Sequence, residues 1–171
     1  MMSAKPDRPR LPSGSELELT DHFGQPVSAA DWRGQSALVL FGFTHCRVVC
    51  PRALTRYSAM LDQLAAEGML IRGLYISVDP ARDTPQVMRD FLAPHPRFTG
   101  LTGSVEQIER TKAAFGVFAR RVSDPDDPLG YRVPHTAIAY LFDADGSCLG
   151  HFADALPGAE ALARLRLLLA T

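Results

Sequence analysis

An uninterrupted apolar run, Ala37-Leu38-Val39-Leu40-Phe41-Gly42-Phe43, leads into Thr-His-Cys-Arg-Val-Val-Cys-Pro and from there into a helical pattern. A run of this length without polar alternation has no side to show to water, so it predicts a strand at the centre of a sheet covered on both faces. The pattern that follows supplies one cover. From about Cys50 the residues Leu54, Tyr57, Leu61 and Leu64 recur at three- and four-residue spacing until Gly68 offers a stop, which predicts an amphipathic helix. Met69 to Val78 reads as a second buried strand ending in Asp79-Pro80. Thr84-Pro85 has N-cap and first-turn proline character and opens a helix through Leu92, and Ser104-Val105-Glu106-Gln107 has the form of a capping box opening a helix toward Phe115.

Val117 to Val122 and Val133 to Phe142 read as strands, separated by a loop from Ser123 to Gly130. Asp143-Ala144-Asp145-Gly146 reads as a tight turn and Ser147 to Phe152 as the hairpin partner. A last helix spans Pro157 to Leu169, with Ala161, Leu162, Leu165, Leu168 and Leu169 as its buried stripe. Ahead of all this, Glu16 to Thr20 alternates as a short strand before a turn at Asp21 to Gly24. Strands alternating with helices and closed by an antiparallel hairpin define an α/β layered domain with a central mixed sheet flanked by helices. Ligand sites in such sheets gather at the carboxyl ends of strands, here the cysteine loop, Asp79 and the segment before His135.

A length of 171 residues with 46% hydrophobic residues suits one domain, from 16 to 171. Residues 1 to 15 are rich in Pro, Arg, Ser and Gly, cannot offset their ordering entropy, and read as a disordered tail or linker. A net charge of -1 and the lack of any basic run interleaved with aromatics argue against nucleic acid. No run approaches a membrane span and no signal peptide opens the sequence, so membrane contact is expected only through an anchor absent from this chain. Three cysteines are too few for a disulfide framework, and Cys148 in a hairpin arm reads as a packing residue.

The remaining pair carries the chemistry. Thiols at a helix start meet unpaired N–H groups and the positive end of the helix dipole, which favour thiolate. If the helix includes both, Cys46 and Cys50 at i and i+4 have Cβ atoms roughly 5 to 6 Å apart, so two sulfurs can converge on one ion. Two thiolates with one imidazole suit copper, while zinc and iron-sulfur clusters are other thiolate clients. Structural zinc calls for a fourth ligand at recognisable spacing, and none is present. Among five histidines His135, at a strand entrance, is the first candidate for the imidazole, and His45, adjacent to Cys46, the second. Asp79 at a strand end supports the site or caps a turn.

Three blocks then resemble the Sco/SenC family of copper chaperones in order and spacing: Phe41-Gly42-Phe43-Thr44-His45-Cys46 with Cys50-Pro51; Ser77-Val78-Asp79-Pro80-Ala81-Arg82-Asp83-Thr84-Pro85; and His135-Thr136 leading into Tyr140-Leu141-Phe142-Asp143. The resemblance covers about residues 16 to 170. It implies a thioredoxin-like fold with an N-terminal strand extension, and copper, as Cu(I) or Cu(II), on Cys46, Cys50 and His135. Asp79 resembles the family's site-adjacent acid, while Arg82 and Asp83 read as loop-shaping residues. The implied role is a metallochaperone rather than an enzyme. It delivers copper to, or maintains the thiols of, the dinuclear copper site of cytochrome c oxidase subunit II, with a thioredoxin-like reductant as a further partner. The alternative is a thiol-disulfide oxidoreductase in which Cys46 and Cys50 are the catalytic pair. The family's usual place implies the periplasmic face of the inner membrane; a native start at Met1 implies the cytoplasm. The chain departs from the family where Pro-Asp usually follows the first cysteine and Asp usually precedes the histidine: Arg47, Val48 and Pro134 stand there. Each departure removes a carboxylate or adds a cation near the site, which lowers thiol pKa and weakens attraction for a metal ion.

Overall fold

In the computed structural model, which describes residues 17–45, 49–126, 130–153 and 155–170 (backbone alone at 49–51), the apolar run forms the strand Ser36–Gly42. In chain order the elements are β1 (Leu19–Asp21), β2 (Pro26–Val27), a 3-10 turn (Ala29–Trp32), β3 (Ser36–Gly42), α1 (Val49–Ala66), β4 (Ile71–Ser77) and α2 (Pro85–Leu92). There follow β5 (Phe98–Thr102), α3 (Val105–Phe115), β6 (Val122–Ser123), β7 (Tyr131–Arg132), β8 (Ile138–Phe142), β9 (Cys148–Ala153) and α4 (Gly158–Leu169). Seven strands form one mixed sheet in the order β2-β1-β5-β4-β3-β8-β9, and β6 pairs with β7 in a separate hairpin. The segments β3, β4 and β5 run parallel, while β8 is antiparallel to β3 and β1 to β5.

The strand β3 is buried on both faces, as its composition requires. Leu38 and Leu40 point into a core shared with Leu54, Tyr57, Leu61 and Leu64 of α1, Met88 and Leu92 of α2, and Ala161 and Leu165 of α4. Ala37, Val39 and Phe41 point the other way, with Trp32, Leu74, Ile76, Leu101 and Ile108 of α3. The predicted stripe of α1 is fully engaged, and removing one such side chain, Leu54→Ala, is expected to cost about 2 to 5 kcal/mol. Both predicted N-caps form: the Thr84 side chain accepts from the Val87 N–H, and Ser104 with Gln107 makes a reciprocal capping box.

Three expectations need correction. Phe98–Thr102, where the sequence predicts no strand between the helices ending at Leu92 and opening at Ser104, is an internal strand, parallel to β4 and antiparallel to β1. Its signal was weakened by Gly100, where a Cβ would collide with Leu92 and Met88, so helix α2 packs directly on the strand backbone. The strand expected over Val117 to Val122 is reduced to one bridge, Ala119 with His135, followed by β6. The strand expected from Val133 begins only at Ile138, because Pro134 has no N–H to give a ladder; its carbonyl still accepts from the Arg120 N–H at 3.2 Å.

Candidate metal centre

The parallel pairing of β3 with β4 brings their carboxyl ends to the same edge of the sheet, with the Val78 N–H donating to the Gly42 carbonyl at 2.9 Å. Gly42 itself is needed there: a Cβ at this position would run into the Tyr75 phenol on β4. From this edge Phe43, Thr44 and His45 carry the chain toward Cys46. Cys46, Arg47, Val48 and the side chain of Cys50 lie outside the described residues, as does the expected convergence of the two sulfurs; the Cys50 backbone belongs to the first turn of α1.

His135 reaches the same edge from a distant part of the chain. Because β8 runs antiparallel to β3, with Tyr140 opposite Val39 and Phe142 opposite Ala37, the residues that precede β8 continue past the carboxyl end of β3. The half-buried His135 ring therefore lies edge-to-face against Phe43, with centroids 5.9 Å apart, and its Nε2 is 3.1 Å from the Phe41 carbonyl. Its Nδ1 is 3.1 Å from the Val133 carbonyl. Carbonyl oxygens only accept, so a neutral ring donates to one of them and turns its other nitrogen's lone pair toward the second; to ligate a metal, that nitrogen must swing away from its carbonyl.

Each carboxylate oxygen of Asp79 already has a protein donor. Its Oδ2 pairs with Arg82 Nε at 2.5 Å and its Oδ1 accepts from the Tyr131 hydroxyl at 2.8 Å, both side chains of the ion pair being buried. Arg82 closes the cluster, donating from Nη1 to the Tyr131 carbonyl at 2.9 Å while its guanidinium lies 3.8 Å from the centroid of the Tyr131 ring. Arg121 stacks on that ring as well, at 4.7 Å. The acid thus grips the segment that carries His135, four residues on, and reaches His135 only through that segment.

Asp83, expected to shape a loop, ties the end of β4 to the chain ahead of Cys46. It accepts from the Thr44 hydroxyl at 2.6 Å, the Thr44 N–H at 3.2 Å and the Ser77 hydroxyl at 2.7 Å, and burial pushes its carboxyl above the ordinary range while these bonds pull it back. The usable signal was its spacing: Asp79 and Asp83 close one turn, the Asp83 N–H donating to the Asp79 carbonyl at 2.9 Å, which aims both acids at the same edge. A ligand atom from each of His45, Asp79 and Asp83 lies within 4.8 Å of the others. That set is harder and richer in oxygen than two sulfurs with an imidazole, and its carboxylates already have protein donors. Cys148 is half-buried against the second core, its thiol pushed up by burial, in keeping with a packing role.

A parallel core continued by an antiparallel hairpin, with helices on both faces and the two cysteines following the central strand in sequence, defines a thioredoxin-like domain. The model of the SCO1/SenC family matches residues 5–170. A SCO2-like protein of Rickettsia felis is 37% identical over 140 residues, which are 81% of this chain and 68% of that protein. The copper-bound ScoI of Bradyrhizobium japonicum superposes with a TM-score of 0.77 at 34% identity, covering 89% of this chain and 96% of the other. The copper-bound ScoI of Arabidopsis thaliana superposes at 0.86 with 26% identity, covering 90% and 96%. This chain belongs to the SCO1/SenC family.

Proposed function

We propose that the protein is a copper metallochaperone of cytochrome c oxidase assembly, with Cys46, Cys50 and His135 as the ligands and copper as the cargo. The observation that carries this reading is the seating of His135 on Phe41 and Phe43, the strand end that delivers the chain to Cys46. Two thiolates and an imidazole form a soft, low-coordinate set suited to Cu(I) and able to hold Cu(II). Such a set can pass its ion to a cysteine-bearing acceptor by exchanging one ligand at a time. Copper-bound relatives at comparable identity support the assignment.

The acceptor in this reading is subunit II of cytochrome c oxidase, and the site of action is the periplasmic face of the inner membrane. Among the described residues no helix is long and apolar enough to cross a membrane. Thiol-disulfide exchange by Cys46 and Cys50 is the second reading; α1 begins at Val49, so the Cys50 backbone lies in a first helical turn, the part of a helix whose dipole favours negative charge.

Anaerobic titration of the reduced protein with Cu(I) against a calibrated chelator tests the first reading. One copper per chain is expected, with Cys46→Ala, Cys50→Ala and His135→Ala each binding far more weakly and His45→Ala close to the parent. Full copper retention by His135→Ala would reject the ligand set.

A further inference from the structure

Two residues ahead of Cys46 the chain is held by a single carboxylate with no solvent exposure, that of Asp83. It takes both donors of Thr44: the hydroxyl at 2.6 Å to Oδ1 and the N–H at 3.4 and 3.2 Å to the two oxygens. Its Oδ2 also accepts from Ser77 at the end of β4, at 2.7 Å. The residue is fixed from behind, since the Thr102 hydroxyl of β5 donates to its carbonyl at 2.6 Å and its own N–H donates to the Asp79 carbonyl at 2.9 Å. The exit of β3 is thereby tied to the exits of β4 and β5 across 39 residues of sequence.

The bond also sets the neighbouring ring. The single proton of the Thr44 hydroxyl is committed to Asp83, so the contact of 3.3 Å between Thr44 Oγ1 and His45 Nδ1 requires the proton on Nδ1. For filling space an apolar side chain would serve at less desolvation cost than a buried acid.

We propose that Asp83 is a positioning residue for the Cys46 loop, holding Thr44 and through it His45 so that the chain approaches Cys46 along one trajectory toward His135. The proposal rests on the copper reading for its purpose, but the positioning itself is measurable without metal. It is a statement about hydrogen bonds rather than charge. An Asn at this position can accept both Thr44 donors on Oδ1 and donate from Nδ2 to Ser77, whereas Ala can do neither.

The test compares Asp83→Ala, Asp83→Asn, Thr44→Val and Thr44→Ser in the full chain. Cu(I) affinity is measured against a chelator, and the alkylation rates of Cys46 and Cys50 are measured on the reduced, metal-free protein. We expect Asp83→Ala and Thr44→Val to weaken copper binding roughly 10- to 100-fold, the range for residues that orient metal ligands, and to change the Cys46 alkylation rate. Asp83→Asn and Thr44→Ser should stay near the parent in both. Parental affinity and alkylation in both Asp83→Ala and Thr44→Val overturn the proposal, as does an Asp83→Asn protein as impaired as Asp83→Ala, which assigns the effect to charge. Should Asp83→Ala fail to fold, the half-buried Thr44→Val decides. A parent chain that binds no copper overturns the chaperone reading alone, and the alkylation comparison still decides the role of Asp83.

Discussion

The Tyr131 hydroxyl donates to Asp79 Oδ1 at 2.8 Å, joining the segment before His135 to the end of β4 across 52 residues. Tyr131→Phe removes that bond and keeps the ring between Arg82 and Arg121. The expected cost is about 1 to 3 kcal/mol of stability, read by denaturant unfolding, because the buried Asp79 carboxylate loses one of its donors. Copper affinity should fall with it, since the His135 segment loses one tether. An affinity equal to the parent's would show that the segment is held without Tyr131.

Arg82 and Asp79 form a buried ion pair, their side chains 3% and 0% exposed. Removing only the cation leaves a buried carboxylate with one remaining neutral donor, so Arg82→Met is expected to destabilise by about 3 to 5 kcal/mol. The double variant Asp79→Asn with Arg82→Met should lose less than Arg82→Met alone. Urea denaturation of both checks this, and equal losses would contradict it.

The His22 Nδ1 accepts from the Gly100 N–H at 2.8 Å, and burial lowers the ring's pKa below 6.5 against the opposing pull of Asp21 and with a smaller push from Arg89. The unfolded chain then binds the proton more readily than the folded one. The stability held by the neutral ring is complete above about pH 6.5 and is lost as pH falls through the lower, folded value. His95, also lowered by burial, acts in the same direction. Melting temperatures should therefore drop on acidification through this window, and the drop should shrink when His22 and His95 are replaced by Gln. An unchanged slope in that double variant would refute the assignment.

Pro134 is exposed and stands directly before His135, where the resemblance to the family implies an acid. Pro134→Asp keeps the carbonyl that accepts from Arg120 and adds an anion next to the proposed ligand. Copper affinity should rise several-fold, in keeping with the sensitivity of metal sites to their outer partners. Chelator competition measures it, and a weaker site would mean that the fixed φ of proline is what aims His135.

Much of the architecture was legible because its cause is local. The alternating burial of β3, the stripe of α1, and the caps at Thr84 and Ser104 each follow from residues adjacent in sequence. β5 was not legible, because Thr99, Gly100 and Thr102 make a poor apolar run and its burial comes from α2 packed against Gly100. The irregular path around His135 was missed because a run of β-forming residues hid the break that Pro134 imposes. At the site, Asp79 was marked as a supporting acid and Asp83 as a loop-shaping residue. Both end at the same strand edge, yet which acid holds which arm depends on Thr44 and Tyr131, far from either in sequence.

The sequence by itself determined a sheet with a strand covered on both faces, the helices that cover it, and a pair of cysteines at a strand-to-helix turn. These depend on periodicity and on residue types within one element. Only the tertiary structure decided that His135 rests on Phe41 and Phe43, 94 residues from the first of them, and that Asp83 rather than Asp79 holds the cysteine arm. The physical reason is register. The antiparallel pairing of β8 with β3, and the parallel pairing of β3 with β4, set which distant side chains share an edge, and no local pattern encodes that choice.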